Sequence, residues 1–404
     1  MTNEVLQKTA SDEQNVSSSN GLEPSLRFTG FYENWHEKYI KDVADVIGGG
    51  TPDTTKLEYW NGNIQWFTPT EIGHNKYVNK SKRTITEKGL KNSSAKLLPP
   101  KTILLTSRAT IGECSIIEKE CATNQGFQSL VPNSLINNEF CYYLINTKKK
   151  ELLRKASGST FLEISNSEIK QIKCKFPSLL EQQKIATFLS LMDTRIEKQR
   201  QLVESLKKYK RGLLSAIFDR KLRFKDTDFS LWKNVRLSEC CLGFDNKRQP
   251  ISSELREKGT VPYYGANGIQ DYVKDYIFDG EYILLAEDGG HFDEFQTKPI
   301  AQYITGKSWV NNHAHILQAT EKDCTKYIYY ALVHKDIRKY INGSSRAKLN
   351  QEDMWQIVIL LPNLKQQIKI AQFMSSIDKI LSIEEKMLTV LEEKKQGLLQ
   401  QMFI

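Results

Sequence analysis

Several short stretches carry residue types that do chemistry in other proteins, and each lacks a partner at the spacing the chemistry needs. Gly306-Lys-Ser308 has the form of the end of a phosphate-binding loop, but the glycine required five positions before Gly306 is Ala301, so the backbone cradle does not form. Glu168-Ile-Lys170 fits the tail of a nuclease motif without a nearby acidic partner, and reads as a pair on a helix surface. His313-Ala-His315 would put two imidazoles on one face of a strand, with no third ligand in view for zinc. Gly48-Gly-Gly50 has the spacing of a turn, not of a dinucleotide loop, and no Asn-Pro-Pro-aromatic stretch of an amino-methyltransferase occurs. The seven cysteines are an odd number without a CxxC pair, which suits buried free thiols in a reducing compartment. These residues point to binding rather than catalysis.

Charge narrows the class of partner. The net charge of the 404 residues is +9. Residues 26–176 hold 22 Lys and Arg against 15 Asp and Glu, and residues 177–221 hold 10 against 5. A balance so placed suits a polyanion. With 39% hydrophobic and 10% aromatic residues the chain can build more than one core, and its length suggests two or three domains. No apolar run approaches the roughly 20 residues that span a bilayer, so no membrane is expected. The acidic, Ser/Asn/Gln-rich stretch 1–25 has neither the basic nor the apolar part of a signal peptide; it reads as a solvated, disordered tail, and the cytoplasm is the expected compartment.

The elements that must position any binding residues are written twice. Pro177-Ser-Leu-Leu-Glu-Gln-Gln-Lys-Ile-Ala-Thr-Phe-Leu-Ser-Leu-Met-Asp193 returns without a gap, 185 residues later, as Pro362-Asn-Leu-Lys-Gln-Gln-Ile-Lys-Ile-Ala-Gln-Phe-Met-Ser-Ser-Ile-Asp378. Leu26-Arg-Phe28 leading to Trp35 rhymes with Leu222-Arg-Phe224 leading to Trp232, and Gly158-Ser-Thr160 with Gly343-Ser-Ser345. Beyond each proline, apolar residues alternate in steps of four and three, the period of a heptad seam. Two helices of about 38 residues, each roughly 57 Å long, are expected. Residues 26–176 and 222–361 hold short β-rich runs such as Ile64–Phe67, Thr102–Thr106, Tyr282–Ala286 and His315–Leu317, with helices expected over Asn138–Lys149, from Ser165, and over Lys326–Lys339. The fold class is α+β: two mixed α/β globules joined by two long helices that form an antiparallel coiled coil. The division reads 1–25 tail, 26–176 first globule, 177–221 first helix, 222–361 second globule, 362–404 second helix.

Gly48-Gly-Gly-Thr-Pro52, Trp66-Phe-Thr-Pro-Thr-Glu-Ile-Gly73, Ser107-Arg-Ala-Thr-Ile-Gly112 and Ala122-Thr-Asn-Gln-Gly126 stand in the first globule. Pro262-Tyr-Tyr-Gly-Ala-Asn-Gly268, Ala286-Glu-Asp-Gly-Gly290 and Asn311-Asn-His-Ala-His315 stand in the second. In this order, within the duplicated layout, they make the chain resemble the DNA-specificity subunits of type I restriction-modification enzymes from Leu26 to Phe403. The resemblance implies two target-recognition domains, each reading one half of a bipartite site in double-stranded DNA, and helices that set the spacer and dock two methyltransferase subunits. It implies a noncatalytic chain, required for adenine methylation and for restriction. S-adenosylmethionine would belong to the methyltransferase partners, ATP and Mg to partner subunits, the ATP with the motor-nuclease subunits, and no cofactor to this chain. A stand-alone nuclease or methyltransferase and a purely structural scaffold are the rival classes; methylation without a partner would mark the first, failure to bind any duplex the second.

Phosphate contacts set affinity and base edges set specificity. The candidates in the first globule are Lys80, Lys82, Arg83 and Arg108, with Thr68, Asn124 and Gln125 as polar readers. In the second they are Lys247, Arg248, Asn267, Arg346 and Lys348; Asn312 and His313 are read as strand-and-turn residues. For the helices, an antiparallel alignment is expected to set Gln199 against Lys395, Lys210 against Glu384, Val203 against Leu391, Leu206 against Leu388, Ile196 against Leu398 and Leu213 against Leu381. The polar layers would fix the register.

Overall fold

The computed structural model describes residues 6–8, 23–158, 162–222, 224, 232–343 and 347–404. The chain divides into two compact units, Met1–Lys198 with Leu388–Ile404, and Gln199–Met387. Each unit therefore takes one globule and a share of both long helices, where the sequence reading set the helices apart as segments of their own. Of the expected tail, Leu6–Lys8 is a strand paired antiparallel with Leu26–Phe28.

The first unit carries a five-stranded sheet in the order Ala44–Gly48, Gln128–Pro132, Ile103–Leu105, Cys114–Ile117, Tyr77–Val78. A three-stranded sheet, Cys121–Thr123, Trp60–Phe67, Arg83–Ile85, accompanies it. The helix Asn138–Thr147 starts where Asn137 Oδ1 accepts from the backbone N–H groups of Glu139 and Phe140, and buries Phe140, Cys141, Tyr143, Leu144 and Ile145. The short helix Asn166–Lys170 is capped by Ser165, whose side chain accepts from Glu168 N.

The second unit has one six-stranded sheet in the order Cys241–Gly243, Ala314–Ala319, Phe278–Ala286, Ala301–Val310, Lys258–Gly265, Gly268–Val273. Against it packs Thr325–Leu332, the shorter form of the helix expected over Lys326–Lys339; a 3-10 turn at Arg338–Tyr340 follows. Each globule is closed by the same device. His36–Tyr39 pairs antiparallel with Lys173–Phe176, and Lys233–Arg236 with Val358–Leu361. Both pairs follow a buried tryptophan, Trp35 or Trp232, and lead into a long helix. All seven cysteines are free thiols, six of them buried.

The long helices run Leu179–Phe218 and Leu364–Met402, 40 and 39 residues. The duplicated sequence explains how they are anchored. Gln182 and Gln367, 185 residues apart, are both buried. Gln182 Nε2 donates to Pro177 O and its Oε1 accepts from Asn137 N; Gln367 Nε2 donates to Pro362 O and its Oε1 accepts from Cys324 N. Each buried amide thus ties the entry of a long helix to the N-terminus of its own globule's helix, and leaves little of its polar capacity unmet. In the first unit Glu181 also pairs with Arg27 at 2.8 Å, both buried, which gives the Leu-Arg-Phe opening its role. There the end of the second helix enters the core: the Phe403 ring lies 5.2 Å from Phe140 and 6.5 Å from Trp35. In the second unit Leu214 and Ile217 pack with Ile370, Ala371 and Met374.

The helices are antiparallel, and their register differs from the expected one. In the second unit Gln199 Nε2 donates to Glu384 Oε2 at 2.6 Å, Lys207 pairs with Glu385 at 3.2 Å, and Lys210 pairs with Asp378 at 2.5 Å. In the first unit Lys395 pairs with Asp193 at 2.5 Å. Gln199 therefore meets Glu384 rather than Lys395, and Lys210 meets a residue six positions before Glu384. The cause is a third partner that each globule supplies. Tyr143 donates to Asp193 Oδ2 and Tyr330 to Asp378 Oδ2, both at 2.5 Å. An aspartate fixed in place by a tyrosine of its globule is a preorganised seat for a half-buried ammonium, whereas Glu384 is taken by Gln199. Burial together with the bonded carboxylate pushes both phenols well above the ordinary tyrosine value. Along the seam Ile196, Val203, Leu391 and Leu398 are buried, and Gln199, Leu206, Lys210, Leu213, Leu381, Glu384, Leu388 and Lys395 are half-buried.

Candidate nucleic-acid interface

The sequence candidates converge on one local structure that is built in both globules. In the first, Trp60–Phe67 and Cys121–Thr123 lie parallel, so that their carboxyl ends are side by side, Phe67 opposite Thr123. In the second, Lys258–Gly265 and Ala301–Val310 do the same, with Tyr264 opposite Val310. The chain leaves each junction through an asparagine. Asn124 N donates to Phe67 O, and its Oδ1 accepts from Gly126 N at 2.9 Å. Asn311 N donates to Tyr264 O, and its Oδ1 accepts from His313 N at 2.9 Å. These are Asx turns, which the asparagine side chain stabilises by imitating a backbone acceptor. Gln125 and Asn312, which follow the two asparagines, are exposed.

In the first globule the glycine run 48–50 backs the turn. A Cβ on Gly49 would lie 1.9 Å from Asn124 O, and one on Gly50 2.3 Å from Ala95 N, so only glycine permits the approach. Thr51 Oγ1 donates to Gln125 Oε1, which fixes the amide and leaves its NH₂ for a ligand. Thr68 is committed otherwise: its N–H and its hydroxyl both donate to Glu71 Oε2. Asn124 likewise spends its Oδ1 on the turn. Of the three polar readers, Gln125 is the one the turn presents outward.

The basic stretch 80–83 is anchored through its serine. Ser81 is buried; its hydroxyl donates to Arg83 O and accepts from Trp66 N. Lys80, Lys82 and Arg83 are exposed around it. The Arg83 guanidinium lies 3.6 Å from the centre of the Trp60 ring, a stacked cation that keeps its N–H groups for an anion. Arg108 is half engaged, its Nε 2.7 Å from Glu163 Oε2.

The second globule departs from the expectation more. Arg248 is a half-buried cation bonded to its own globule. Its Nη1 donates to Glu287 Oε2, Ala314 O and Asn312 O, its Nε donates to Asp245 O, and its Nη2 lies 3.5 Å from Asp245 Oδ2. It ties Asp245 to Glu287, and Asp245 in turn holds His315, 70 residues away in the chain, which no local spacing announces. Lys348 adds a 3.1 Å pair to the other oxygen of Glu287. Burial opposes the charge on Glu287, but the bonds from Arg248 and Lys348 win and hold its carboxyl below the usual range; His315 and Arg248 do the same for Asp245. Ligand atoms of Asp245, Glu287 and His315 lie within 4.8 Å of one another, an arrangement that resembles a metal site. Arg248 and the bond from His315 to Asp245 at 2.6 Å already neutralise it. The two histidines of His313-Ala-His315 go to different carboxylates, His313 Nδ1 meeting Asp288 Oδ1 at 2.6 Å. Lys247 is exposed, its ammonium 5.3 Å from the Phe244 ring centre. Asn267 is exposed and donates through Nδ2 to Gly289 O. Arg346 lies outside the described residues, as do Ser159, Thr160, Ser344 and Ser345 of the two short loops. Asn312 and His313 stand in the Asx turn that opens the strand Ala314–Ala319, the strand-and-turn role expected of them; their correspondence to Gln125 and Gly126 is visible only once both junctions are aligned.

Known proteins share this architecture. The chain resembles the S subunit of a type I restriction-modification system from M. genitalium with a TM-score of 0.60 at 20% identity, over 95% of this chain and 99% of that one. The MjaIX specificity subunit of a type I restriction enzyme from Methanocaldococcus jannaschii is 29% identical, over 91% of this chain and 92% of its own. A putative specificity subunit from Haemophilus influenzae is 37% identical over 37% of this chain and 38% of its own. A family model described as the type I restriction modification DNA specificity domain matches twice, over residues 32–208 and 230–393. With both halves of its duplicated sequence so matched, the chain belongs to the family of type I restriction-modification DNA-specificity proteins.

Proposed function

We propose that the chain is the sequence-reading subunit of a type I restriction-modification complex, in which each globule reads one half of an asymmetric bipartite site in double-stranded DNA. One observation carries this reading. The same asparagine-anchored junction is built twice, and different side chains are mounted on it: Gln125 and Gly126 in the first globule, Asn312 and His313 in the second. A common frame with different polar groups is what reading two different half-sites requires, since base edges are told apart by their donor and acceptor patterns. The stacked Arg83, with Lys80 and Lys82, supplies phosphate contacts that position the first globule.

In this reading the chain performs no bond chemistry. The paired helices set the spacer between half-sites and dock two methyltransferase subunits, which bring S-adenosylmethionine and methylate adenine. Motor-nuclease subunits bring ATP and Mg. The domain boundaries are those of the sequence, a globule over 26–176 and another over 222–361. The test is methylation-sensitive sequencing of DNA from cells that express this chain with the methyltransferase subunit of its own system. Adenine methylation within one interrupted, asymmetric motif is expected. Methylation by the chain without a partner, or a motif that is continuous or palindromic, would overturn the reading.

A further inference from the structure

A cavity of about 440 Å³ opens in the second globule where the hairpin Lys258–Gly265/Gly268–Val273 meets the turn at Gly289 and the Asx turn of Asn311. Asn267, Gln270, Asp288, Gly289 and His313 line it. Their hydrogen bonds leave a defined set of unused groups. His313 Nδ1 faces a carboxylate oxygen of Asp288, which only accepts, so Nδ1 carries a proton. The Nε2 edge makes no hydrogen bond among the described residues, and the side chain is 38% exposed. In the neutral ring that edge is an acceptor. Gln270 Oε1 accepts from Asn311 Nδ2 at 3.1 Å, which leaves the Gln270 NH₂ as a donor. Asn267 spends its NH₂ on Gly289 O, which leaves its Oδ1 as an acceptor.

The wall of the cavity is held still. Gln302 Nε2 donates to Gly265 O and Ala266 O, and a Cβ on Gly265 would lie 2.2 Å from Gln270 Nε2, so the Gln270 amide rests on bare backbone. In the first globule the position of His313 is taken by Gly126, so this imidazole is a feature of the second reader alone.

We infer that this cavity, with His313 as its acceptor and Gln270 as its donor, determines one base of the second half-site, and that the base is adenine in an A·T pair. Adenine offers an N6 amino donor beside an N7 acceptor on its major-groove edge, which pairs with one acceptor and one donor. Guanine offers two acceptors there and would set an oxygen against His313 Nε2. Asp288 is a positioning residue that fixes the ring tautomer. The inference rests on the reading of the chain as a DNA-specificity subunit.

The test compares methylation motifs of the wild-type chain with those of the H313A and Q270E variants, each co-expressed with the methyltransferase subunit. Q270E keeps the oxygen that accepts from Asn311 and replaces only the donor, so it tests the cavity where H313A fails to assemble. Each variant is expected to lose about ten- to hundredfold discrimination at one A·T position of the second half-site, with the first half-site unchanged. An unchanged motif in an active complex, or relaxation at a G·C position or in the first half-site, overturns the inference while the specificity reading stands. Absence of any bipartite motif from the wild-type complex overturns both.

Discussion

Replacing Arg248 by alanine separates a structural cation from a DNA contact. The Arg248 side chain is 16% exposed and its guanidinium sits beside Glu287 and Asp245, whose side chains are 13% and 7% exposed. Its removal leaves two carboxylates in that setting with Lys348, His315 and the Ile316 N–H as remaining partners, and takes a donor from the carbonyl of Ala314. Breaking a buried pair by deleting one partner costs about 3–5 kcal/mol. Lys348 compensates one oxygen of Glu287, which sets the expectation near the lower end, about 3 kcal/mol. Native-state hydrogen exchange measures this locally, and the amides of 241–247, 283–287 and 314–319 should exchange roughly a hundredfold faster, while those of the first unit stay as they were. The salt slope of DNA binding by the assembled complex should not change, because no phosphate contact is lost. If Arg248→Ala leaves exchange unaltered and shrinks the salt slope by about one unit, the internal role assigned to Arg248 is wrong and it is a phosphate ligand.

Other outcomes follow from the same geometry. Arg83→Ala should weaken DNA binding and reduce the salt slope by about one unit without changing the motif. Arg108→Ala should have a smaller effect of the same kind, because Glu163 already shares that charge. Asp378→Lys should destabilise the helix pair by about 1–3 kcal/mol, since it sets two ammonium groups against each other beside Tyr330, and Lys210→Asp in the same chain should restore most of the loss; a double-mutant cycle of thermal unfolding reads this. Asp245 and Glu287 are held below their ordinary values of 3.8 and 4.5, so their contribution to the second unit is present above about pH 4.5 and is lost as pH falls through the lower folded values. In an acid titration followed by circular dichroism, Arg248→Ala should move that loss to higher pH.

The helices were the most legible part of the chain because their period is local and their duplication is gapless. The runs Ile64–Phe67 and Tyr282–Ala286 were legible as strands, which are the carboxyl-terminal halves of Trp60–Phe67 and Phe278–Ala286, though their first halves and the order of the strands in the sheets were not. The register failed for a physical reason. Matching hydrophobic slots of two helices treats them as an isolated pair, whereas Asp193 and Asp378 take their position from Tyr143 and Tyr330, which the globules deliver. The candidate contacts divide along the same line. Lys80, Lys82 and Arg83 were legible as a cluster because they are adjacent and remain at the surface. Arg248 looked equally basic in sequence, but its partners stand at 245, 287, 312 and 314, and only the sheet brings them to it. The orientation of the His313 ring was not legible, because it depends on Asp288 holding Nδ1, a contact across 25 residues.

The central claim is that two independent readers share one chain. Replacing residues 26–176 with the corresponding globule of another family member, and mapping the methylated motif of the hybrid complex, tests it most directly. The account predicts that one half of the motif changes and the other is retained base for base. A folded, active hybrid in which both halves change would contradict it.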